Sequence, residues 1–455
     1  MTPISRTHPT QSIAQLTMLT AIAVLGIILS VVIVKSSALI SLALAAGLSL
    51  SLICLNKPEI GLHLLVLSML LSPEFGQRTA AAGGGSNVTL RLDDLLLALI
   101  GLSWLVRMAT HTNLGLFLKT PINRPIFLYL AVCLVASSLG ALTGNVKPVR
   151  SFFHIIKYFE YYFIFFMLVN HLERQDQIQR LVVTLLLTCL ITDIYGLLQI
   201  PDGQRVTAPF EGKSGEPNTL GGYLVMMTAV SASLALYSNK RWLSLLLWGV
   251  SSLNIVVLMF TKSRGSYLAF IAMGLTLLLL TKRKIILVFT LLTMLIGPFV
   301  LPQAVKERII YTFTKQQSSH LTVGKIDLDP STSDRLKGWI DGLKALVKRP
   351  LLGYGVTGYR FVDSHFLLVL MDTGIIGFLA FAGLIIALIK AGWHSLQASR
   401  SPLGKGLATS FLVSTAALMV HALSANTFII IRIMEPYWFL AGLTVMAPLV
   451  ERKNA

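Results

Sequence analysis

Four polar side chains lie at the ends of the apolar runs of this sequence or in the polar segments between them, and their types suit acid–base and anion-binding chemistry. They are His365, Arg264, Arg335 and Arg205. His365 opens an apolar run directly after Asp363 and Ser364. A histidine at a helix end can act as a general base because its ordinary pKa lies near neutrality. The alternative is an interfacial histidine that bonds only to water or to a neighbouring carbonyl.

Arg264 lies in a segment, Thr-Lys-Ser-Arg-Gly-Ser (261–266), that separates two apolar runs with almost no loop. The glycine lets the backbone turn, and Ser263 or Ser266 can cap the helix that begins there. An arginine beside the free N–H groups of a helix start can bind phosphate. Alternatively, Arg264 only extends to the lipid headgroups, as arginines at span ends commonly do.

Arg205 opens a second polar segment, residues 205–223, which is rich in Gly, Pro and Asn. Pro217 predicts a helix start that Asn218 or Thr219 would cap, and a Gly-Gly pair just after it allows close packing. The composition alternatively indicates no more than a structured turn.

Arg335 belongs to the longest polar stretch, Gln303 to Ser364. Apolar residues at spacings of three and four follow it, which predicts an amphipathic helix lying on the membrane surface. Ser333 or Asp334 would cap this helix and leave Arg335 in its first turn. The helix dipole disfavours a cation there, so Arg335 needs an anionic partner. That partner could be Asp334, Asp341 or a bound ligand.

The elements that must position these residues are membrane-length helices. Of the 455 residues, 54% are hydrophobic and 13% are charged, whereas soluble domains carry about 25% charged residues. Apolar runs of about 17 to 25 residues, the length that crosses a hydrocarbon core, recur along the chain and must be helical in lipid. The sequence therefore predicts an all-α, polytopic transmembrane helical bundle of about 12 to 14 spans with one long extracytoplasmic loop. The predicted spans are 13–34, 36–55, 60–72, 92–108, 125–143, 149–169, 180–200, 218–237, 242–260, 265–281, 285–302, 365–389, 405–424 and 431–450.

The distribution of Lys and Arg over the short loops predicts that both termini are cytoplasmic and that the 303–364 loop lies outside. The net charge of +18 then reflects this loop bias and does not indicate a nucleic-acid partner. The first run, 13–34, is too long for a signal peptide and is predicted to be retained.

Several cations nevertheless fall where helices meet the outer surface, and they are candidate partners for an anionic ligand. These are Arg205, Lys213, Lys262 and Arg264.

For other polar residues inside the predicted spans, the sequence favours structural roles over functional ones. Lys157 and Glu160 lie on one helix face with His154 and can neutralise each other. In the last hairpin, Arg432 and Glu435 can pair within one helical turn, and His421 lies near them in sequence. The three cysteines sit inside apolar runs and predict no disulfide or metal framework. They are Cys54, Cys133 and Cys189.

The segments described above follow one another in a recognisable order. Glu-Pro-Asn-Thr-Leu-Gly-Gly-Tyr-Leu (216–224) precedes Thr-Lys-Ser-Arg-Gly-Ser-Tyr-Leu-Ala-Phe (261–270). Ser-Asp-Arg-Leu-Lys-Gly-Trp (333–339) and Arg-Pro-Leu-Leu-Gly-Tyr-Gly (349–355) come next, and Ser-His-Phe-Leu-Leu-Val-Leu-Met-Asp-Thr-Gly-Ile-Ile-Gly (364–377) closes the series. In order and spacing they resemble the O-antigen ligase/polymerase superfamily of bacterial membrane proteins. The resemblance covers about residues 205–390, so the chain divides into N-terminal helices (1–204), this core, and a C-terminal transmembrane hairpin (391–455).

The resemblance implies an inverting glycosyltransferase in the bacterial inner membrane with its active site facing outward. The donor would be a glycan on a polyprenyl diphosphate. The acceptor would be a sugar hydroxyl on a lipid A core in a ligase, or on another lipid-linked glycan in a polymerase. His365 would activate the acceptor hydroxyl, while Arg264 and Arg335, with Arg205 as a third cation, would hold the diphosphate. No cofactor or metal is implied.

Two other classes of protein stay open. Some members of the superfamily are associated with inorganic carbon uptake, which suits a chain with many spans and with polar residues such as His154 inside them. Transporters tend to have broken helices and an ionisable site near the bilayer midplane. The strongest polar groups here lie at helix ends, which favours the enzyme. A membrane scaffold for envelope machinery would need none of these residues.

Overall fold

The computed structural model describes residues 47, 49–75, 90–110, 119–211, 215–283, 322–323, 326–327, 330–360 and 362–453. Within them the chain folds into twelve helices of 14 or more residues. They are α1 (Pro58–Leu71), α2 (Leu92–Thr110), α3 (Asn123–Leu142), α4 (Pro148–His171), α5 (Gln175–Gln199), α6 (Pro217–Tyr237), α7 (Arg241–Phe260), α8 (Arg264–Thr281), α9 (Pro330–Lys348), α10 (His365–Ala398), α11 (Pro402–His421) and α12 (Ile431–Lys453). Short 3-10 turns occur at Ile200–Asp202 and Thr427–Ile429.

These helices confirm the predicted all-α, polytopic fold. Nine helices of the described residues are long and apolar enough to cross a membrane, and α1 is a shorter apolar helix. Each predicted span from 60–72 onward coincides with a helix to within about five residues, apart from 285–302 and from 365–389, whose helix continues to Ala398. The predicted spans 13–34 and 285–302 lie outside the described residues, as does most of 36–55, whose last residues are helical.

Within the described part of the chain, strands are confined to two short antiparallel hairpins. In one, β1 (Glu74–Phe75) pairs with β2 (Leu90–Arg91) just before α2. In the other, β3 (Thr322–Val323) pairs with β4 (Ile326–Asp327) in the long loop.

The centre of the bundle is formed by α6, α11 and α12. The most apolar window of α6 is 100% buried and that of α12 is 94% buried, whereas the window of α8 is 33% buried. Small residues explain the close packing of α6, because Gly, Ala, Ser and Thr let neighbouring helix backbones approach. Gly221, Gly222 and Ala232 are examples, all of them buried.

Several helix ends that carry the predicted site residues meet at one end of the bundle. The α7–α8 turn (residues 261–263) and the α11–α12 turn (residues 422–430) lie there. The start of α10 joins them, because the backbone N–H of His365 donates to the carbonyl of Ala422 at 2.9 Å. The topology predicted from the charged loops would place this end outside the membrane.

Helix α10 is broken after its third turn, at Gly374, whose φ of 65° and ψ of −164° are not helical. The preceding loop fills the break: Ile375 N–H donates to the Pro350 carbonyl, and Tyr354 N–H donates to the Met371 carbonyl, both at 2.8 Å. A side chain at position 374 would collide with the backbone of Leu351. The Pro-Leu-Leu-Gly-Tyr-Gly segment and the glycine of α10 therefore form one interlocked unit.

Helix α9 packs on the short outer piece of α10, residues 365–373. Leu367 and Met371 are buried there, and Trp339 and Leu346 of α9 are packed against them. The predicted amphipathic helix thus exists, but it begins at Pro330, earlier than the predicted cap at Ser333 or Asp334. Proline is a favoured first residue of a helix because it needs no N–H partner there.

Candidate active site

His365 lies at the start of α10 and is 1% exposed. Its ring packs between two phenylalanines, with centroids 5.1 Å from Phe381 and 5.2 Å from Phe428. Among the described residues, neither ring nitrogen has a hydrogen-bond partner. Leaving a buried polar group unpaired costs free energy. The imidazole can therefore receive a partner that the described residues do not supply.

Arg264 is the first residue of α8. The helix is capped by Ser263, whose side chain accepts from the N–H of Ser266, which confirms one of the two predicted caps. Ser263 Oγ also donates to Asn218 Oδ1 at 2.8 Å. The start of α8 is thereby tied to the start of α6, and Arg264 projects from a turn whose backbone is fixed on two sides.

Asn218 does not cap α6, contrary to the prediction that Asn218 or Thr219 would. The cap position falls on Glu216, which makes no side-chain cap hydrogen bond. The Asn218 side chain instead accepts from Ser263 across the helix interface. Proline at position 217 fixes the first turn of the helix and leaves the Asn218 side chain available for this interhelical contact.

Arg335 reaches the same region from α9. It pairs with Asp363, with Nε 3.6 Å from Oδ2, and Asp363 is two residues before His365. Of the partners predicted from sequence, Asp341 instead pairs with Arg360 at 2.7 Å. Since α9 starts at Pro330, Arg335 lies beyond the first turn, so the predicted dipole penalty is relieved.

Arg205 contacts the turn that carries Arg264. Its Nε donates to the Thr261 carbonyl at 2.9 Å, and its Nη2 lies 3.5 Å from the Lys262 carbonyl. In return, Lys262 Nζ donates to the Gly203 carbonyl at 3.0 Å. Two of the predicted outer-face cations thus bind carbonyls of each other's loops.

A chain of buried side chains connects these pieces. The ring of His421, at the end of α11, is 3.2 Å from Ser266 Oγ through Nε2 and 2.8 Å from Thr427 Oγ1 through Nδ1. Ser266 Oγ is in turn 2.8 Å from Ser263 Oγ. The sequence grouped His421 with ionic residues of the last hairpin, and this contact with α8 was missed.

The ionic residues of the last hairpin have other partners. Arg432 Nε lies 3.5 Å from Glu211 Oε1, and its guanidinium donates to the carbonyls of Pro209 and Leu70. Glu435 is fully buried, and neither carboxylate oxygen has a hydrogen-bond partner among the described residues. Arg432 therefore pairs across the bundle with a loop residue, where the sequence had suggested Glu435 within one turn.

Lys157 and Glu160 form the predicted pair, at 3.0 Å. Lys157 also lies 2.6 Å from Asp94 at the start of α2, a contact that sequence spacing could not reveal. His154 binds the carbonyl of Arg150 one turn earlier. This group is largely buried and self-paired, which supports a structural role for it. The three cysteines are buried and free.

The family profile described as O-antigen ligase matches residues 249–382 of the chain. The matched segment contains Arg264, Arg335 and His365, and Arg205 precedes it. The match confirms the resemblance drawn from the sequence motifs. No curated protein matches the chain.

Proposed function

We propose that this protein, which belongs to the O-antigen ligase family through residues 249–382, is an inverting, metal-independent glycosyltransferase of the bacterial inner membrane. Its donor is a glycan on a polyprenyl diphosphate. Its acceptor is a sugar hydroxyl on a lipid A core or on a second lipid-linked glycan. The reaction takes place on the outer side of the membrane, and both termini of the chain are cytoplasmic.

One observation carries the proposal: His365 is a buried imidazole with no hydrogen-bond partner among the described residues, and two arginines enter the same end of the bundle. In the reaction, His365 accepts the proton of the acceptor hydroxyl. The acceptor oxygen forms a bond to the anomeric carbon from the face opposite the diphosphate. The bond from that carbon to the diphosphate oxygen breaks, so the anomeric configuration is inverted.

The leaving group is the polyprenyl diphosphate, which takes the bonding electrons as negative charge. Arg264 and Arg335 stabilise this charge as it develops, and arginine suits the task because its guanidinium donates two parallel hydrogen bonds to phosphate. Arg205 can serve as a third cation, and its contacts with the Thr261 carbonyl also hold the Arg264 turn.

The test is a transfer assay with purified protein in nanodiscs, a polyprenyl-diphosphate glycan, and a panel containing lipid A core and lipid-linked glycan acceptors. We expect donor-dependent transfer to one acceptor class, which distinguishes ligase from polymerase. Arg264→Ala should lower transfer by about 100-fold because it removes one preorganised charge at the leaving group. Arg264→Lys should recover only part of it, since an ammonium group cannot make the paired contact. Failure of the wild-type protein to transfer to any acceptor would contradict the proposal.

The break in α10 favours a second candidate, a transporter of inorganic carbon. Broken helices are common in transporters, and Asp372, next to the break, is 5% exposed with Oδ1 unpaired among the described residues. A transporter would take up bicarbonate in proteoliposomes, and Asp372→Asn would abolish the uptake. Bicarbonate uptake without glycan transfer would show that the protein is a transporter and would contradict the proposed glycosyltransferase activity.

A further inference from the structure

A continuous hydrogen-bonded chain of side chains runs through the junction of α6, α8, α11 and the α11–α12 turn. From this turn to α6 it passes through Thr427, His421, Ser266, Ser263 and Asn218. Four of these five residues are buried, with His421, Ser266 and Thr427 at 0% exposure and Ser263 at 1%. Such a chain fixes the relative positions of the elements it joins, because each lost contact leaves a buried polar group unpaired.

His421 is the member that joins α11 to α8. Both of its ring nitrogens have partners, in contrast to His365, whose ring nitrogens have none among the described residues. The neighbouring helix α6 leaves space for the His421 ring to reach α8. A side chain at Gly222 would come within 3.0 Å of the imidazole Cε1, so the glycine of α6 leaves the room that the ring occupies.

The turn after His421 also sets the position of His365. The carbonyl of the next residue, Ala422, accepts from the backbone N–H of His365 at 2.9 Å. Asn426, farther along the same turn, donates to the carbonyl of Val362 at 2.9 Å. One turn thus holds the start of α8, which carries Arg264, through a side chain, and the start of α10 through its backbone.

We propose that His421 is a positioning residue: through Ser266 it holds the Arg264 turn at a fixed distance from His365. The positioning role depends on the proposed function only for the catalytic roles that are assigned to Arg264 and His365. It predicts that loss of the Ser266 contact weakens binding of the diphosphate donor and leaves binding of the acceptor unchanged.

Three substitutions separate the two hydrogen bonds of the ring. His421→Gln keeps a polar group at the place of Nε2 and so retains the Ser266 contact. His421→Asn keeps a polar group at the place of Nδ1 and retains the Thr427 contact, while His421→Ala loses both. Loss of one buried hydrogen bond should raise the donor KM by about tenfold in the Asn and Ala variants. The Gln variant should stay near the wild-type value, and the acceptor KM should be unchanged in all three.

A control is His63 of α1, a partly buried histidine whose Nδ1 lies 2.7 Å from Thr184 Oγ1. His63→Ala removes a similar contact away from the candidate site and should leave the donor KM unchanged. Equal effects of His421→Asn and His421→Gln, or an effect on the amount of active protein alone, would overturn the positioning role.

A second measurement does not depend on glycan transfer. With Arg264→Cys as a reporter, the rate of labelling by a charged thiol reagent measures how well the α8 turn is held, since the natural cysteines are buried. We expect His421→Ala to raise the rate by about tenfold and His421→Gln to leave it unchanged. If the wild-type protein transfers no glycan but this labelling pattern is found, the proposed function fails and the positioning role stands. If transfer occurs and the labelling rates are equal, the positioning role fails alone.

Discussion

At the scale of single residues, the two buried histidines at the candidate site differ in what their rings contact. His365 has aromatic neighbours and unpaired nitrogens among the described residues, whereas His421 is bonded on both sides. A base that must bind a substrate hydroxyl needs a nitrogen that the protein leaves unused, and a residue that holds other residues in place needs both nitrogens occupied. His365 fits the first description and His421 the second.

Arg335 gives a prediction at this scale, because its contact with Asp363 is long and partly exposed. Ion pairs of this kind contribute about 0 to 1 kcal/mol to stability, so the pair is a weak restraint on the arginine. Asp363→Asn should leave transfer within about twofold of wild type, whereas Arg335→Ala should lower kcat/KM by about 100-fold. Steady-state kinetics with varied donor would measure both, and equal losses in the two variants would show that the pair itself is needed.

Sequence reasoning predicted candidate site residues but could not predict most of their partners. His365, Arg264 and Arg335 were singled out because polar residues at the ends of apolar runs, or in the polar segments between them, are visible in the sequence. The partners of Arg205 and His421 lie 56 and 155 positions away, and helical periodicity carries no information about which helices become neighbours. The start of α9 at Pro330 was missed for a local reason, since Ser333 and Asp334 are also good cap residues.

At the scale of elements, the break in α10 determines where His365 sits. The outer piece of the helix is held by the loop that precedes it, and the left-handed backbone at Gly374 makes the interlock possible. The sequence motif around Gly374 was recognised by resemblance, but its conformation could not be predicted, because an uninterrupted apolar run indicates an unbroken span.

Gly374→Ala tests this interlock. A side chain at the backbone angles of Gly374, φ of 65° and ψ of −164°, costs about 1–3 kcal/mol because this region is almost confined to glycine. Here it would also collide with the Leu351 backbone. We expect a lower thermal unfolding midpoint in detergent together with lower transfer activity. Gly383→Ala, in the same helix, is the matched control, because its added methyl group would meet nothing within 4 Å. A stable, active Gly374→Ala protein would show that the break can close without consequence.

At the scale of the whole molecule, buried ionic contacts join the N-terminal helices to each other and to α12. Lys157 of α4 bridges Asp94 of α2 and Glu160 of its own helix. Arg432 of α12 binds Glu211 of the α5–α6 loop and the carbonyl of Leu70 of α1. These contacts connect helices that precede the family-matched segment to the last helix of the bundle, and they support a structural function for the N-terminal part.

Lys157→Met should therefore destabilise the fold by about 3–5 kcal/mol, because it leaves two buried carboxylates without their shared cation. Addition of Asp94→Asn and Glu160→Gln should recover much of the loss. Chemical unfolding in mixed micelles would measure these changes. If Lys157→Met were as stable as wild type but inactive, the group would belong to the active site.

The orientation of the bundle is a separate prediction of the charged loops. Reporter fusions at the C-terminus should show it on the cytoplasmic side, and a cysteine at Lys344 of α9 should react with an impermeant reagent added outside. The opposite pattern would place the candidate site on the cytoplasmic face, where the proposed donor glycan would not be available.

The most direct test of the account is glycan transfer by His365→Ala, compared with His394→Ala from the exposed, opposite end of the same helix. Removal of the general base should lower kcat by about 100-fold to 10,000-fold, while donor binding and the unfolding midpoint stay near the wild-type values. His394→Ala should transfer glycan at the wild-type rate. Transfer by His365→Ala at a rate equal to that of the control would contradict the account.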